Sequence, residues 1–330
     1  MAIYRFSAQM ISRSSGRSAV AAAAYRAGAE LTCDRTGQVH DYTRKGGVVS
    51  SEIIAPDGVP VWATDRARLW NEVEAAEKRK DAQLAREVEL ALPRELTPEQ
   101  RLELVRSFVR SEFVSRGMVA DIAIHEPKAS DGGQQPHAHV MLATRTLGSE
   151  GFQGKNRDWN DKGLLEGWRE AWANHANRAL ERAGQEQRID HRSLEAQRQD
   201  ALALGDDRKA QDLDREPQPK LGPTAAAMER AGIQTDRGDT LRATLQRNAA
   251  RKALWERIRE LSARTVEAVK DLAGLLKGAD LSALKEANLK AALKRADLSK
   301  LRQPKREQQQ EKAREQGLKK GPGSGIGLEF

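Results

Sequence analysis

Three of the chain's six histidines, His125, His137 and His139, lie close together in the sequence. His125 closes the run Met118-Val119-Ala120-Asp121-Ile122-Ala123-Ile124, which reads as a strand, and residues 139–143 read as another. Between them Pro127, Asp131, Gly132 and Gly133 mark a turn. An antiparallel hairpin would set His125 beside the His-x-His pair, and strand alternation puts His137 and His139 on one face. Three neutral imidazoles on one face suit a divalent metal with positions left for substrate oxygens. A lone His-x-His is as often the polar face of an edge strand; the third histidine is what argues for a ligand set. No cysteine lies nearby, as a zinc finger needs, and no H-E-x-x-H metalloprotease helix is present.

A metal site on a chain of net charge +8 suggests phosphate chemistry, which calls for a nucleophile. The tyrosines are Tyr4, Tyr25 and Tyr42. Tyr25 stands in Ala21-Ala22-Ala23-Ala24-Tyr25-Arg26-Ala27-Gly28, where small neighbours let a nucleic-acid backbone approach, and Arg17 and Arg26 can hold phosphates. The competing reading is a tyrosine packed over a sheet. Glu87 and Glu89 share a strand face, so they can orient a histidine or accept the tyrosine proton; equally, they can be an ordinary solvated face. Arg145 falls on the face of His137 and His139 if that strand runs so far.

The elements that must position these groups alternate in type. Strands are expected at 2–8, 48–54 and 86–92, the last ending at Pro93. Helices are expected at 19–27, at 65–80 with Thr64 as cap, and from Thr97 and Pro98 to about 115. A further helix is expected at 161–183, with Leu164, Leu165, Trp168, Trp172 and Ala176 on one stripe. This order predicts an α+β fold, an antiparallel sheet with helices on one face. Beyond residue 195 the character changes. Residues 196–238 read as a charged linker with short helices, and 239–330 as a basic helical extension, helical over 239–302 and disordered over 308–327.

Charge follows the same division. Residues 1–195 hold 28 Lys+Arg against 28 Asp+Glu, so the excess lies beyond them. A polyanion such as nucleic acid is the favoured partner. Cys33 is the single cysteine, which excludes an internal disulfide and fits a reducing compartment. Neither a signal peptide nor an apolar run of membrane-spanning length is evident, so the expectation is a cytoplasmic chain without membrane insertion.

Several segments in order carry a resemblance. They are Met1-Ala2-Ile3-Tyr4, residues 18–28, residues 85–93, His137-x-His139-x5-Arg145, and residues 170–177 through Ile189-Asp190-His191-Arg192. A weaker stretch follows at Leu221-Gly222-Pro223 and Thr235-Asp236-Arg237-Gly238. Together they resemble the MobA/MobL (MobQ-type) plasmid mobilisation relaxases over about residues 1–195. The resemblance implies a histidine-hydrophobe-histidine (HUH) endonuclease fold, Tyr25 as nucleophile, and His125, His137 and His139 as ligands of Mg2+ or Mn2+. It also implies an acidic pair at Glu87 and Glu89; Arg13, Arg17, Arg26, Arg145 and Arg192 are the candidate DNA contacts. Ala138 departs slightly from the pattern, being small. The implied activity is nicking and religation of one DNA strand at a plasmid origin of transfer through a 5′-phosphotyrosyl intermediate. Single-stranded origin DNA, accessory relaxosome proteins and a coupling protein are the implied partners. The absence of a Walker-type Gly-x4-Gly-Lys-Ser/Thr sequence argues against an ATP-driven helicase in this chain. The alternatives are a rolling-circle replication initiator, which usually places its tyrosine after the histidine pair, a non-catalytic DNA-binding protein, and a simple metal hydrolase.

Overall fold

The computed structural model describes residues 4–128 and 132–277. The chain divides into two units, 1–217 and 218–330. In the first unit, five strands form one antiparallel sheet. They are β1 (Phe6–Ser12), β4 (Val48–Ile54), β5 (Gln83–Ala91), β6 (Ala120–His125) and β7 (His137–Ala143), arranged in the order β1-β5-β7-β6-β4. Two short ribbons, β2 (Glu30–Cys33) with β3 (Gln38–Asp41) and β8 (Arg145–Gly148) with β9 (Gly151–Lys155), lie outside it.

Alternation assigns the two faces of the sheet. Val88, Leu90, Ile122, Ile124, Ala138, Val140 and Leu142 point to one core with Phe108, Phe113, Trp168 and Trp172. These aromatics come from α3 (Pro98–Glu112), the turn that follows it, and α4 (Lys162–Arg182). Ile11, Ala85, Met141 and Ala143 point the other way, to Val20 and Ala23 of α1 (Ala19–Ala27) and Leu69 and Trp70 of α2 (Arg66–Ala76). The α+β architecture expected from the sequence is therefore present, with one correction: helices cover both faces. The alanines of α1 allow this second layer, because a helix of small side chains can lie close to the strands.

Most element positions match the sequence pattern, and the exceptions have local causes. Thr97 makes the expected cap, reinforced by Gln100, whose side chain accepts from the Thr97 N–H. The cap of α2 is Asp65 rather than Thr64, since the Asp65 carboxylate accepts from Arg68 N at 2.8 Å. That helix stops at Ala76 instead of 80, where Glu77 turns extended to meet Arg145 and Lys155. β1 runs to Ser12, four residues beyond expectation, because Gln9, Met10 and Ile11 pair with Glu87, Arg86 and Ala85. β7 begins at His137 rather than His139, which places both histidines on the strand.

After α4, α5 (Leu194–Ala203) and α6 (Asp207–Asp212) complete the first unit. The second unit contains α7 (Pro223–Arg230) and α8 (Asp236–Lys277). Glu229 ties them together, accepting from Thr235 and Arg242. The helix expected at 239–302 is present to Lys277; its remainder and residues 308–327 lie outside the described residues. No helix among the described residues is long and apolar enough to cross a membrane.

Candidate metal and nucleophile site

The register of β5, β6 and β7 creates the site. His125 pairs directly with His137, and His139 lies between Ala123 and Glu89. His125, His137 and His139 thus share one face with Glu87 and Glu89, the face toward α1. One potential ligand atom from each histidine lies within 4.8 Å of the other two, and the ring centroids are 4.8–5.4 Å apart.

Hydrogen bonds fix the tautomer of each ring. His125 Nε2 donates to the carbonyl of Arg26 at 2.7 Å, and His137 Nδ1 to the carbonyl of Gln135 at 2.9 Å. His139 Nδ1 donates to Glu87 Oε1 at 2.9 Å. A carbonyl or ionised carboxylate only accepts, so these three nitrogens carry the protons. The lone pairs left over are His125 Nδ1, His137 Nε2 and His139 Nε2. Burial, with the nearby cation of Lys45, holds His125 down at about 4, and burial also lowers His137. Rings each oriented by one Nδ1 or Nε2 hydrogen bond, with the other nitrogen turned toward its neighbours, are what a divalent metal requires, so the donor set fits.

Glu87 is the hub beneath the site. Only 1% exposed, it accepts from His139, from Gln9 Nε2 at 2.6 Å and from Arg26 Nε, with Arg17 at 3.7 Å. Burial alone would raise its pKa, but the bonds from His139 and Arg26 outweigh it and hold the carboxyl at about 2. Glu89, at the rim, pairs with Arg5 at 2.8 Å and forms no ion pair with a histidine. The two acidic residues therefore differ in role despite sharing a face.

Tyr25 occupies the last turn of α1 and is 46% exposed. The start of that helix is anchored twice: Ser18 accepts from Ala21 N, and Glu74 Oε1 accepts from Ala19 N at 2.9 Å. Its end turns at Gly28 in the left-handed conformation, φ 63°, where a Cβ would press on Val48. The bond from His125 to the carbonyl of Arg26, the residue after Tyr25, joins the tyrosine turn to the histidine cluster. Lys45 Nζ lies 3.7 Å above the Tyr25 ring, and Tyr42 meets the same ring edge-on at 5.2 Å. The sequence pattern does not single out Lys45, because its place depends on the turn after Tyr42, which carries no motif.

The arginines are more committed than charge alone suggested. Arg13 bonds to Glu74 and to the carbonyls of Glu77 and Arg79, and Arg26 to Glu87 and the Ala22 carbonyl. Arg192 is held by Asp190 and Asp200. Arg145 corrects the expectation that it shares the histidine face. β7 ends at Ala143, and Arg145 starts β8, donating to Glu77 at 2.8 Å and to the Gln153 carbonyl. It lines a cavity of about 900 Å3 with Arg86, Lys155 and Arg157, at the end of β5 and β7 remote from the histidines. Of the five arginines singled out, Arg17 alone has just a long contact, to Glu87, and is partly exposed.

An antiparallel sheet whose central strand carries His137-Ala138-His139, beside a third histidine, defines the HUH class of fold. Residues 17–231 match the model of the MobA/MobL family, and the chain belongs to that family. It is 40% identical over 260 residues to mobilization protein MobL of Acidithiobacillus ferridurans, covering 70% of this chain and 64% of that one. It is 37% identical over 265 residues to conjugal transfer protein TraA of Agrobacterium fabrum (strain C58), covering 71% of this chain and 22% of that one. The chain thus spans less than two thirds of the length of either relative. A solved structure described as "Molecular Basis of Vancomycin Resistance Transfer in Staphylococcus aureus" superposes with TM-score 0.54 at 32% identity, over 58% of this chain and 100% of that one.

Proposed function

We propose that this chain nicks and religates one DNA strand at a plasmid origin of transfer, with Tyr25 as nucleophile, and so initiates conjugative mobilisation. The observation that carries the reading is the join between an exposed tyrosine turn and three tautomer-locked histidines through His125 and the Arg26 carbonyl. The relatives' names, mobilization protein and conjugal transfer protein, support it.

His125, His137 and His139 would hold a divalent cation, Mg2+ or Mn2+. When bound, it supplies Lewis-acid polarisation of the scissile phosphate. The chain's own groups do the rest. Tyr25 Oη forms a bond to phosphorus and the P–O3′ bond breaks. The phenolic proton passes to solvent, and the 3′ oxygen leaves as a hydroxyl. The 5′-phosphotyrosyl ester conserves the bond energy, so religation by the reverse step needs no ATP. Glu87 keeps His139 in its ligating tautomer and Arg26 in place. Arg17 is the side chain best placed among the five arginines to meet a phosphate. Origin DNA in single-stranded form is the substrate in this reading, the cytoplasm its location, and accessory relaxosome proteins and a coupling protein its partners.

Incubation with a labelled single-stranded origin oligonucleotide and a divalent cation, then denaturing electrophoresis, tests the proposal. A labelled band shifted to the mass of the protein is expected, absent in Tyr25→Phe although that variant still binds the oligonucleotide. Cleavage without a protein adduct would favour a simple metal hydrolase, and binding without cleavage a non-catalytic DNA-binding protein.

A further inference from the structure

Lys45 stands on a turn pinned at both ends. Tyr42 N donates to the Ala29 carbonyl at 3.1 Å, just past α1, and Lys45 N to the Tyr42 carbonyl at 2.9 Å. At the other end, Glu126 N, next to His125, donates to the Gly47 carbonyl at 2.8 Å. The turn therefore bridges the tyrosine helix and the histidine strand. From it Lys45 Nζ reaches the Tyr25 backbone carbonyl at 2.8 Å and covers the face of the Tyr25 ring.

This is an unusual place for an ammonium. It is half-buried, and among the described residues it forms no ion pair with a carboxylate. The groups that face it are Arg26 on α1, Glu87 on β5, His125 on β6, and the rings of Tyr25 and Tyr42. Glu87, the acid among them, already serves Arg26, Gln9 and His139. Burial first, then repulsion from Arg26, lowers Lys45 to about 8, against the attraction of Glu87. A cation kept in such a position acts most directly on the charge of the ring beneath it.

We propose that Lys45 is a positioning residue for Tyr25, fixing the ring and supplying the positive charge that favours its phenolate. The inference rests on Tyr25 being the nucleophile. The phenolate is the attacking group in cleavage. In religation the P–Oη bond breaks, the P–O3′ bond forms, and the phenolate is the leaving group. Lys45 keeps its proton in both directions and transfers none, since it lies over the ring rather than in line with the hydroxyl.

Full-length Lys45→Met and Lys45→Arg, compared with the parent, test this. In single-turnover cleavage of the origin oligonucleotide, Lys45→Met is expected to be about tenfold slower near neutral pH, a loss that shrinks as pH approaches the phenol's own range near 10. Its Kd for the oligonucleotide should change less than about twofold, and Lys45→Arg should recover most of the rate because it restores the charge. A Lys45→Met rate loss equal at every pH, a defect confined to Kd, or no defect would each overturn the proposal. A second measurement needs no DNA. Ultraviolet titration of phenolate, with Tyr25→Phe and Tyr42→Phe to assign the transitions, reads Tyr25 directly, because burial places Tyr4 out of the way at about 12. Below about pH 8, where Lys45 is charged, the parent should show more Tyr25 phenolate absorbance than Lys45→Met, and equal absorbance would overturn the proposal. A parent protein that forms no adduct defeats the nicking reading, while the titration still decides what Lys45 does to Tyr25.

Discussion

At the scale of single residues, the two glutamates on β5 make the sharpest contrast. Glu87→Gln removes the anionic acceptor of His139 and leaves the buried Arg26 guanidinium short of its counter-charge. Metal affinity by calorimetry should fall about 10–100-fold, as for other outer-shell partners of ligating histidines. Stability should fall by about 3–5 kcal/mol, the cost of breaking a buried pair from one side. Glu89→Gln, which removes the rim ion pair with Arg5, should cost under about 1 kcal/mol and leave the metal affinity within about twofold. Acid sensitivity follows from the same groups. Glu87 is held at about 2 against its usual 4.5, so its contribution is complete above 4.5 and is lost as pH falls toward 2. His125, at about 4 against 6.5, takes up a proton more readily when unfolded, which further lowers stability as pH falls below 6.5. Acid unfolding of the parent should therefore begin at a higher pH than that of a Glu87→Gln, His125→Phe double variant of matched starting stability. Coincident acid midpoints would contradict this assignment. The histidine cluster was legible because alternation and a hairpin suffice to bring those rings together. The commitments of Arg13, Arg26 and Arg145 were not, because charge counting does not see the buried carboxylates of Glu74, Glu87 and Glu77 that claim them.

At the scale of elements, α1 is a nine-residue helix of mostly alanine, too short to be stable alone. It is held by its ends, through Glu74 at the start and His125 at the finish. Glu74 also receives Arg13 at 2.8 Å and Arg35 at 3.4 Å. Glu74→Ala should destabilise the protein by about 3 kcal/mol or more, read as a lowered Tm, and slow adduct formation more than it weakens oligonucleotide binding. An unaltered Tm would mean that the sheet alone seats α1. Residues 19–27 and 48–54 could be assigned from sequence to the residue, since small-residue helices and β-branched runs have distinct patterns. The β2–β3 and β8–β9 ribbons could not. Their strands are four or five residues long and only partly buried, so alternation has too few positions to register.

At the scale of the molecule, the excess charge and the candidate site lie in different units. Residues 1–217 hold 32 Lys+Arg against 34 Asp+Glu, and residues 218–330 hold 24 against 14. A chain ending at Pro217 keeps α5, whose Ala201 is buried and whose Asp200 bonds Arg192, so it retains the whole first unit. It should form the tyrosyl adduct at near the parental rate once saturated with oligonucleotide. Its affinity for duplex DNA should fall less steeply with salt, because fewer counterions are released. Equal slopes for the two chains would free the second unit from DNA contact. The single bond between His125 and the Arg26 carbonyl has a further consequence. With a cation held on His125 Nδ1 while Nε2 grips the end of α1, occupancy of one site and order in the other would become two faces of one equilibrium. A cation bound by the histidines should slow amide exchange in the last turn of α1. By reciprocity, the factor by which a bound cation would strengthen DNA binding should equal the factor by which bound DNA would strengthen cation binding.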